Sequence, residues 1–216
     1  GTQTGDVPTI EGDPVVDGRL EAKTRDVMND AAVAYQWLAD GDPITGANGT
    51  SLVLTPDLVG KAITVTTTAV LAGYDNLILT SDPTDAVAKA EFTQLDVTID
   101  GNPTVGHTVT ADVEHAPAGM LSYAWKADGG TITGATNATL TLTPGLAGKD
   151  LTVTVTVTKP GYNTDTATSD KVTIAKGTQT GDVPTIEGDP VVDGELTAAA
   201  AAGDTMTDAD VSFQWL

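Results

Sequence analysis

The strongest local pattern in the chain is a strict alternation of aliphatic residues and threonines from Leu151 to Thr158. Successive side chains of a β-strand point to opposite faces of the sheet. The pattern therefore predicts a strand with Leu151, Val153, Val155 and Val157 on its buried face and four threonines on the face toward solvent.

The first part of the chain contains several shorter segments of the same kind. Aliphatic and β-branched residues cluster around Thr9, Leu20, Tyr35, Leu52, Val65 and Leu79. Turn-forming residues at 12–14, 40–41, 46–49, 56–57 and 73–74 separate these clusters. About seven short strands bounded by turns predict an all-β fold built of β-sandwiches. No segment shows helical periodicity, and the alanine run at 198–202 aligns with strand and loop segments elsewhere in the chain.

The chain also repeats itself. Residues 1–18 recur without change at 177–194, an offset of 176 positions (177 − 1). Trp37 and its neighbours match Trp125 and its neighbours at half that offset, 88 positions (125 − 37). A fixed period of this kind indicates a tandem array. We predict a first-type module at 1–90, a second-type module at 91–176 and the first half of a further first-type module at 177–216.

The third copy contains only the opening strands of a module. It reaches Phe213 and Trp215, the counterparts of Tyr35 and Trp37, and has no counterpart of the segment from 44 to 87. Half a sandwich cannot bury enough apolar surface to offset the ordering of its backbone. We therefore expect order in 177–216 to depend on polypeptide beyond Leu216 or on a neighbouring molecule.

The first module contains a series of short motifs: Tyr-Gln-Trp-Leu-Ala-Asp-Gly at 35–41, Ile-Thr-Gly-Ala at 44–47, Leu-Val-Leu-Thr-Pro at 52–56, Gly-Lys at 60–61, Ile-Thr-Val at 63–65 and Gly-Tyr at 73–74, with a second series between Tyr123 and Tyr162. This series resembles bacterial immunoglobulin-like repeats, which occur in tandem in large surface and secreted proteins. The resemblance implies immunoglobulin-like sandwiches in which Trp37 and Trp125 are strand C tryptophans packed between the sheets. It also implies a turn at 56–61 that enters strand F. Gly145 replaces Asp57 in the second module, so we expect that turn to be held differently there.

Composition narrows the chemistry. Aromatic residues make up 4% of the chain, so each core depends on one tryptophan, one or two tyrosines and many valines, leucines, isoleucines and threonines. There is no cysteine, which excludes thiolate metal sites and cysteine nucleophiles and argues against a disulfide-stabilised animal ectodomain.

The chain is strongly acidic throughout. It has 30 acidic and 10 basic residues, a net charge of −20, and the three predicted modules carry 13 against 5, 9 against 5 and 8 against 0. Binding to phosphate groups requires lysine and arginine. We therefore expect no nucleic-acid partner and no membrane contact by this segment.

Candidate catalytic residues are few. The two histidines, His107 and His115, lie near no plausible nucleophile, and no Gly-x-Ser-x-Gly motif is present. Paired carboxylates of the type used by glycosidases occur at Glu11/Asp13, Asp40/Asp42, Asp82/Asp85 and Asp208/Asp210. Their positions in predicted turns favour bonds from the aspartates to their own backbone. We predict no catalytic, cofactor-binding or metal-binding residues and no enzyme activity, and no ligand-binding residue is assigned.

Calcium at the module junctions is the alternative use of these acids. Calcium takes six to eight oxygen ligands, which turns on two adjacent modules can supply. Asp82 and Asp85 are the candidates at the first junction, and Asp182, Glu187 and Asp189 at the second. No Asp-x-Asp-x-Asp-Gly loop supports the assignment, so the prediction is no cofactor.

Three other features have weaker functional interpretations. Threonines 152, 154, 156 and 158 match a flat ice-binding or sugar-binding face, but threonine is also an ordinary solvent-facing strand residue. Asn48 and Asn137 begin Asn-x-Thr sequons in turns. Lysines 61 and 149 and asparagines 76 and 163 raise the alternative of an internal Lys–Asn cross-link.

These observations predict a non-enzymatic stalk or spacer in an extracellular bacterial surface protein, adhesin-like or filament-forming. Its partners are neighbouring repeats and other copies in a surface assembly. In such arrays each module contacts only its neighbours, so length scales with copy number. Two alternatives are a module that binds glycan or a host protein, and an accessory array of a secreted carbohydrate-active enzyme or a phage virion protein. The short Gly/Thr-rich segment 175–181 predicts limited hinging between modules rather than a rigid rod.

Overall fold

The computed structural model describes residues 1–25, 31–114, 118–178, 183–199 and 212–216. Within these ranges the ordered elements are antiparallel β-strands and two short 3₁₀ turns. The strands form two β-sandwiches, called here the first and second sandwich, and one further strand pair.

The first sandwich contains seven strands in two sheets. The strands are β1 (Thr9–Glu11), β2 (Arg19–Lys23), β3 (Ala32–Ala39), β4 (Asp42–Pro43), β5 (Ser51–Val53), β6 (Ile63–Val70) and β7 (Leu77–Thr80). One sheet has the order β1-β2-β5 and the other has the order β4-β3-β6-β7.

The second sandwich repeats this arrangement. Its strands are β8 (Asp96–Gly101), β9 (Thr108–Glu114), β10 (Met120–Ala127), β11 (Gly130–Thr131), β12 (Thr139–Thr141), β13 (Asp150–Thr158), β14 (Asp165–Thr168) and β15 (Val172–Thr173). The sheets have the orders β8-β9-β12 and β11-β10-β13-β14, with β15 paired to the start of β13.

The strand order is that of an immunoglobulin-like sandwich. In each unit the first, second and fifth strands form one sheet, as strands A, B and E do, and the other sheet matches C′, C, F and G. A parallel bridge, Val15–Ala88 in the first unit and Thr104–Ala175 in the second, joins the segment before the second strand to the end of the unit. The predicted all-β, immunoglobulin-like fold is confirmed.

Each core is centred on its tryptophan. The side chains of Trp37 and Trp125 are fully buried, as predicted. Each indole N–H donates to a backbone carbonyl in the turn before the fifth strand, at 2.9 Å from Gly49 O and 2.9 Å from Asn137 O. A large apolar side chain therefore fills each core while its one polar atom has a partner. The turns that contain the two Asn-x-Thr sequons are held by these bonds.

The alternation in β13 has the predicted effect. Leu151, Val153, Val155 and Val157 are fully buried on one face. On the other face Thr154 and Thr168 form a hydrogen bond of 2.9 Å between their hydroxyl groups across two strands, and Thr66 and Thr80 form the same bond in the first sandwich. These hydroxyl groups satisfy one another, as expected for ordinary strand threonines.

The expectation that Gly145 changes its turn is wrong. Pro56–Leu58 and Pro144–Leu146 are both 3₁₀ turns, and Leu58 N–H and Leu146 N–H each donate to the carbonyl three residues earlier at 3.0 Å. The turn depends on these main-chain bonds and on its initial proline, so the side chain at the next position is free to vary. The Asp57 carboxylate accepts a hydrogen bond from Thr55, which lowers the pKa of Asp57.

The third copy does not form a closed sandwich within the described residues. Strands β16 (Thr185–Glu187) and β17 (Thr197–Ala199) pair with each other, and β17 covers the start of the predicted alanine strand. The rest of that run, up to 202, lies outside the described residues. Trp215 is 54% exposed, whereas its counterparts Trp37 and Trp125 are fully buried, which is the expected result of a missing opposite layer.

Candidate functional site: the junction of the two sandwiches

The two sandwiches meet through a turn of the second that contacts the end of the first. This turn, called here the Gly-Tyr turn, comprises residues 159–163 and connects β13 to β14. It contacts the loop between β1 and β2, the first 3₁₀ turn and the connecting segment 88–92.

Backbone hydrogen bonds align the turn with the connecting segment. Ala90 N–H donates to Gly161 O at 2.9 Å, and Asn163 N–H donates to Ala90 O at 2.9 Å. Ala90 and Tyr162 thereby form a parallel β-bridge. Because two main-chain bonds fix both position and direction, the bridge sets how the second sandwich follows the first.

Gly161 allows the Gly-Tyr turn to approach the first sandwich closely. Its φ is +78°, a conformation that side chains disfavour, and a Cβ atom at this position would lie 2.9 Å from Val16 Cγ1 and 3.0 Å from Pro56 Cβ. Those separations are shorter than ordinary carbon–carbon contacts. The surface formed by Val16 and Pro56, called here the first seat, therefore accepts a glycine.

A carboxylate and two donors lie beside this contact. Asp17 Oδ2 accepts hydrogen bonds from Lys159 Nζ and from the Tyr162 hydroxyl, both at 2.8 Å. Lys159 Nζ also lies 4.0 Å from the centroid of the Tyr162 ring, and that ring packs against Phe92 at a centroid distance of 4.9 Å. The aromatic side chain thus joins a cation, an anion and a second ring from both sides of the junction.

The Tyr162 ring also reaches the first sandwich. It is partly buried and packs against the core cluster that contains Trp37 and Leu54. On the other side of the turn, the side-chain amide of Asn163 donates to the Glu91 carboxylate. The junction is therefore apolar at its centre and polar at its rim, as protein interfaces generally are.

Asp17 and Lys159 shift each other's pKa in the direction that favours both charged forms. The hydrogen bond from Lys159, followed by the one from Tyr162, lowers the pKa of Asp17. The bond to Asp17 is the main reason that the pKa of Lys159 is raised. Both charges are therefore held at neutral pH. The Asp17 carboxylate is 51% exposed, so solvent weakens the attraction between the pair.

The predicted calcium residues do not form a site in the described part of the chain. Asp82 and Asp85 lie in the loop that follows β7, while the acidic residues that are described as bonding to the Gly-Tyr turn are Asp17 and Glu91. Glu187 and Asp189 lie in and after β16, and Asp182 is outside the described residues. Within the described ranges no three His, Asp or Glu side chains come together as metal ligands.

The predicted Lys–Asn pairs are not neighbours. Lys61 precedes β6 and Asn76 follows its far end, because Leu77 pairs with Ala69. Eight residues of strand separate the two positions, about 25 Å at about 3.3 Å per residue. Lys149 and Asn163 are separated in the same way by β13. The cross-link hypothesis is therefore wrong for these pairs.

The remaining candidates have structural positions. The Asp40 carboxylate accepts from Ala62 N–H at 2.9 Å, and Asp128 accepts from Asp150 N–H at 2.9 Å. These bonds link a hairpin turn to the start of the neighbouring strand. The sequence had favoured bonds from each aspartate to the backbone of its own turn. His107 lies in the turn before β9, where its main-chain N–H donates to Thr104 O. His115, Asp208 and Asp210 lie outside the described residues.

Sequence reasoning missed the junction. Gly73–Tyr74 and Gly161–Tyr162 match in the alignment, but the match does not reveal that the second pair contacts the preceding module. Asp17 and Lys159 are 142 positions apart in the sequence. One sequence signal could have pointed to this contact. Asp17 and Lys159 are not repeated in the other module, where their counterparts are Gly106 and Leu71.

Comparison with known proteins gives matches to solved structures at low identity. No protein-family model matches the chain, and no curated protein matches it. Among solved structures, it resembles a Ca²⁺-stabilised adhesin that helps an Antarctic bacterium reach out and bind ice, with 15% identity and a TM-score of 0.39 over 86% of this chain and 52% of that one. It also resembles three N-terminal domains of the outer capsid protein Hoc of bacteriophage RB49, with 16% identity and a TM-score of 0.36 over 93% and 71% of the two chains. Tandem immunoglobulin repeats of Dlar match with 12% identity and a TM-score of 0.26 over 80% and 96%.

These matches are all immunoglobulin-like or adhesin-type domains, and the chain spans about half of the adhesin structure. The assignment of the fold rests on the strand order described above. No helix in the described residues has the length and hydrophobicity required to cross a membrane.

Proposed function

We propose that the chain is a segment of a non-enzymatic spacer, in which immunoglobulin-like modules hold a functional region away from a bacterial cell surface. The junction is the observation that supports this proposal. Two main-chain hydrogen bonds, a glycine in close contact and a shared tyrosine join one sandwich to the next in a defined orientation. A spacer requires such joints, because its reach depends on how consecutive modules are aligned.

The proposed array has modules at 1–90 and 91–176, followed by the opening half of another at 177–216. The two core clusters support this division. The buried residues of one cluster run from Val16 to Ala90 and those of the other from Val97 to Ile174. The strongly negative charge supports an extracellular location, since it favours solubility and keeps extended chains apart.

The alternative of glycan binding has less support. Sugar-binding faces use exposed aromatic rings on which the sugar stacks. In the two sandwiches, as far as they are described, Tyr74 at 41% is the exposed aromatic side chain, and it belongs to a Gly-Tyr turn.

The spacer proposal is tested by measuring the width of the distance distribution between the two sandwiches. The chain has no cysteine, so Val53→Cys and Thr139→Cys, at exposed positions of β5 and β12, place one spin label on each sandwich. Double electron–electron resonance on residues 1–216 should give one narrow distribution. Gly161→Ala should broaden it at least twofold, because the added Cβ meets Val16 and Pro56.

Gly73→Ala is the matched control. Gly73 has a φ of +83°, close to that of Gly161, but a Cβ there would meet no atom within 4 Å. Both variants thus carry the same backbone strain, of about 1–2 kcal/mol, and only one disturbs the joint. A distribution that is already broad in the unmodified chain, or that broadens equally in both variants, would contradict the proposal.

A further inference from the structure

The far end of the second sandwich carries a second copy of the seat. Val105 corresponds to Val16, since the N–H of each donates to the end of its own unit, to Ala175 O at 3.0 Å and to Ala88 O at 3.1 Å. Pro144 corresponds to Pro56, since each begins a 3₁₀ turn. We name the surface formed by Val105, Pro144 and Ala147 the second seat. It lines an open pocket of about 380 Å³ together with residues 176–178.

The first sandwich carries a second copy of the Gly-Tyr turn. Residues 71–75 connect β6 to β7 as 159–163 connect β13 to β14. Tyr74 N–H donates to Leu71 O at 3.1 Å, and Tyr162 N–H donates to Lys159 O at the same distance. In this copy Tyr74 is 41% exposed, and a Cβ atom at Gly73 would meet no atom within 4 Å. The Gly1 amino group donates to Gly73 O at 3.3 Å and Asp75 N–H donates to Gly1 O at 3.1 Å, as Ala90 and the turn 159–163 bond to each other. The shape that fits the first seat is thus also present on a first-type unit, paired with the start of that unit.

From these two copies we infer that the second seat is a docking surface for the Gly-Tyr turn of a following first-type module. Residues 177–194 repeat 1–18 without change, so the unit that begins after Lys176 is of the first type. This inference rests on the proposed array function and adds to it the partner of the second seat.

The second joint differs from the first in charge. Gly106 replaces Asp17, since the N–H of each donates to the carbonyl before the 3₁₀ turn, Leu142 O and Leu54 O, both at 2.8 Å. Leu71 replaces Lys159 at the start of the turn. Neither partner of the Asp17–Lys159 ion pair is therefore present at the second joint, which docks without that pair.

The polar rim has different residues at the second joint. At the first joint the Asn163 side chain donates to Glu91. The corresponding residues at the second joint are Asp75 and Thr178, so a carboxylate replaces the donor and a hydroxyl replaces the acceptor. Residues 1–3, which 177–179 repeat, show how a first-type unit bonds at this position: the Gln3 side-chain amide donates to Asp75 O at 2.8 Å. An array built in this way alternates between joints with and without an ion pair.

The test uses a chain in which residues 1–90 follow Lys176 directly. Residues 1–90 contain all seven strands of the first sandwich, and the first eighteen residues after the join keep their native sequence. Spin labels at Thr139→Cys and at Val53→Cys of the appended copy report on the second joint. We expect a distribution as narrow as that of the first joint, and at least twofold broadening by Gly73→Ala in the appended copy. The same substitution in the original copy should have no effect on either joint.

Salt separates the two kinds of joint. Raising NaCl from about 0.01 M to about 1 M shortens the Debye length from about 30 Å to about 3 Å. The distance distribution across the first joint should broaden over this range of salt, and the distribution across the second joint should not. A broad distance distribution at the second joint of the unsubstituted chain would overturn the inference. A narrow distribution at the first joint in the same experiment would still support the spacer proposal. Equal broadening of both distance distributions by salt would contradict docking without the ion pair at the second joint. Tryptophan fluorescence establishes that the appended sandwich has folded.

Discussion

At the scale of single residues, the junction is made by departures from the repeat. Asp17 occupies a position with a φ of +63°, where its counterpart Gly106 has a φ of +90°. Aspartate is among the few residues besides glycine that adopt this conformation. The backbone of the turn is therefore maintained in both units, and the carboxylate adds a contact in only one of them.

The ion pair should make the junction sensitive to pH. The Lys159 and Tyr162 hydrogen bonds lower the pKa of Asp17 below its ordinary value of 3.8, so the charged form is stabilised in the folded chain. That contribution is complete above the ordinary value and is lost as pH falls through the lowered pKa. At the other limit, the raised pKa of Lys159 keeps the contribution complete below 10.5 and removes it at higher pH.

Asp17→Asn tests this dependence and retains a residue suited to the same backbone conformation. Amide exchange of Ala90 and Asn163, whose N–H groups bond across the junction, should be faster in the variant at neutral pH. Protection in the unmodified chain should fall toward that of the variant as pH drops below 3.8. The effect should be small, since exposed ion pairs contribute little. Equal protection in both proteins at neutral pH would show that the pair has no part in docking.

At the scale of elements, local patterns predicted much of the fold and none of the junction. The alternation in β13 and the position of Trp125 followed from periodicity and repeat matching, because burial imposes those patterns within a few residues. The Gly-Tyr turn looked the same in both units, and only tertiary contacts distinguish Gly161 from Gly73. The difference between Asp57 and Gly145 had the opposite effect: it predicted a structural difference that does not exist, because main-chain hydrogen bonds set the turn in both units.

The core element with the clearest energetic role is strand β10 through Trp125. Trp125→Ala removes a fully buried indole and should cost about 3–5 kcal/mol. That loss is comparable to the whole stability of many small domains. Residue-resolved amide exchange should show loss of protection in β13, which pairs with β10, while β6 of the first sandwich stays protected.

Trp125→Phe provides the graded control. It keeps an aromatic ring in the core but removes the indole N–H that donates to Asn137 O, and it should cost less than Trp125→Ala. Simultaneous loss of protection in β6 and β13 after Trp125→Ala would contradict separate cores. It would instead indicate that the two sandwiches unfold as one cooperative unit.

At the scale of the whole molecule, the surplus of negative charge dominates the electrostatics. With 30 acidic and 10 basic residues, acidic groups outnumber basic groups by 20 (30 − 10). The described residues form four ion pairs, two of which share Lys23. Screening therefore relieves more repulsion than it removes attraction, although it weakens the Asp17–Lys159 pair. The stability of the sandwiches and the tightness of the first joint should thus respond to salt in opposite directions.

Thermal unfolding of residues 1–216 in NaCl, MgCl₂ and CaCl₂ at matched ionic strength tests this balance. The melting temperature should rise with ionic strength, because the compact state concentrates like charges. Calcium and magnesium should raise it equally, since the described acidic groups do not come together as a ligand set and would act only through screening. A calcium-specific increase would require several oxygen ligands in one place. Such an increase, abolished by Asp82→Asn together with Asp85→Asn, would return those two residues to the role that their sequence positions first indicated.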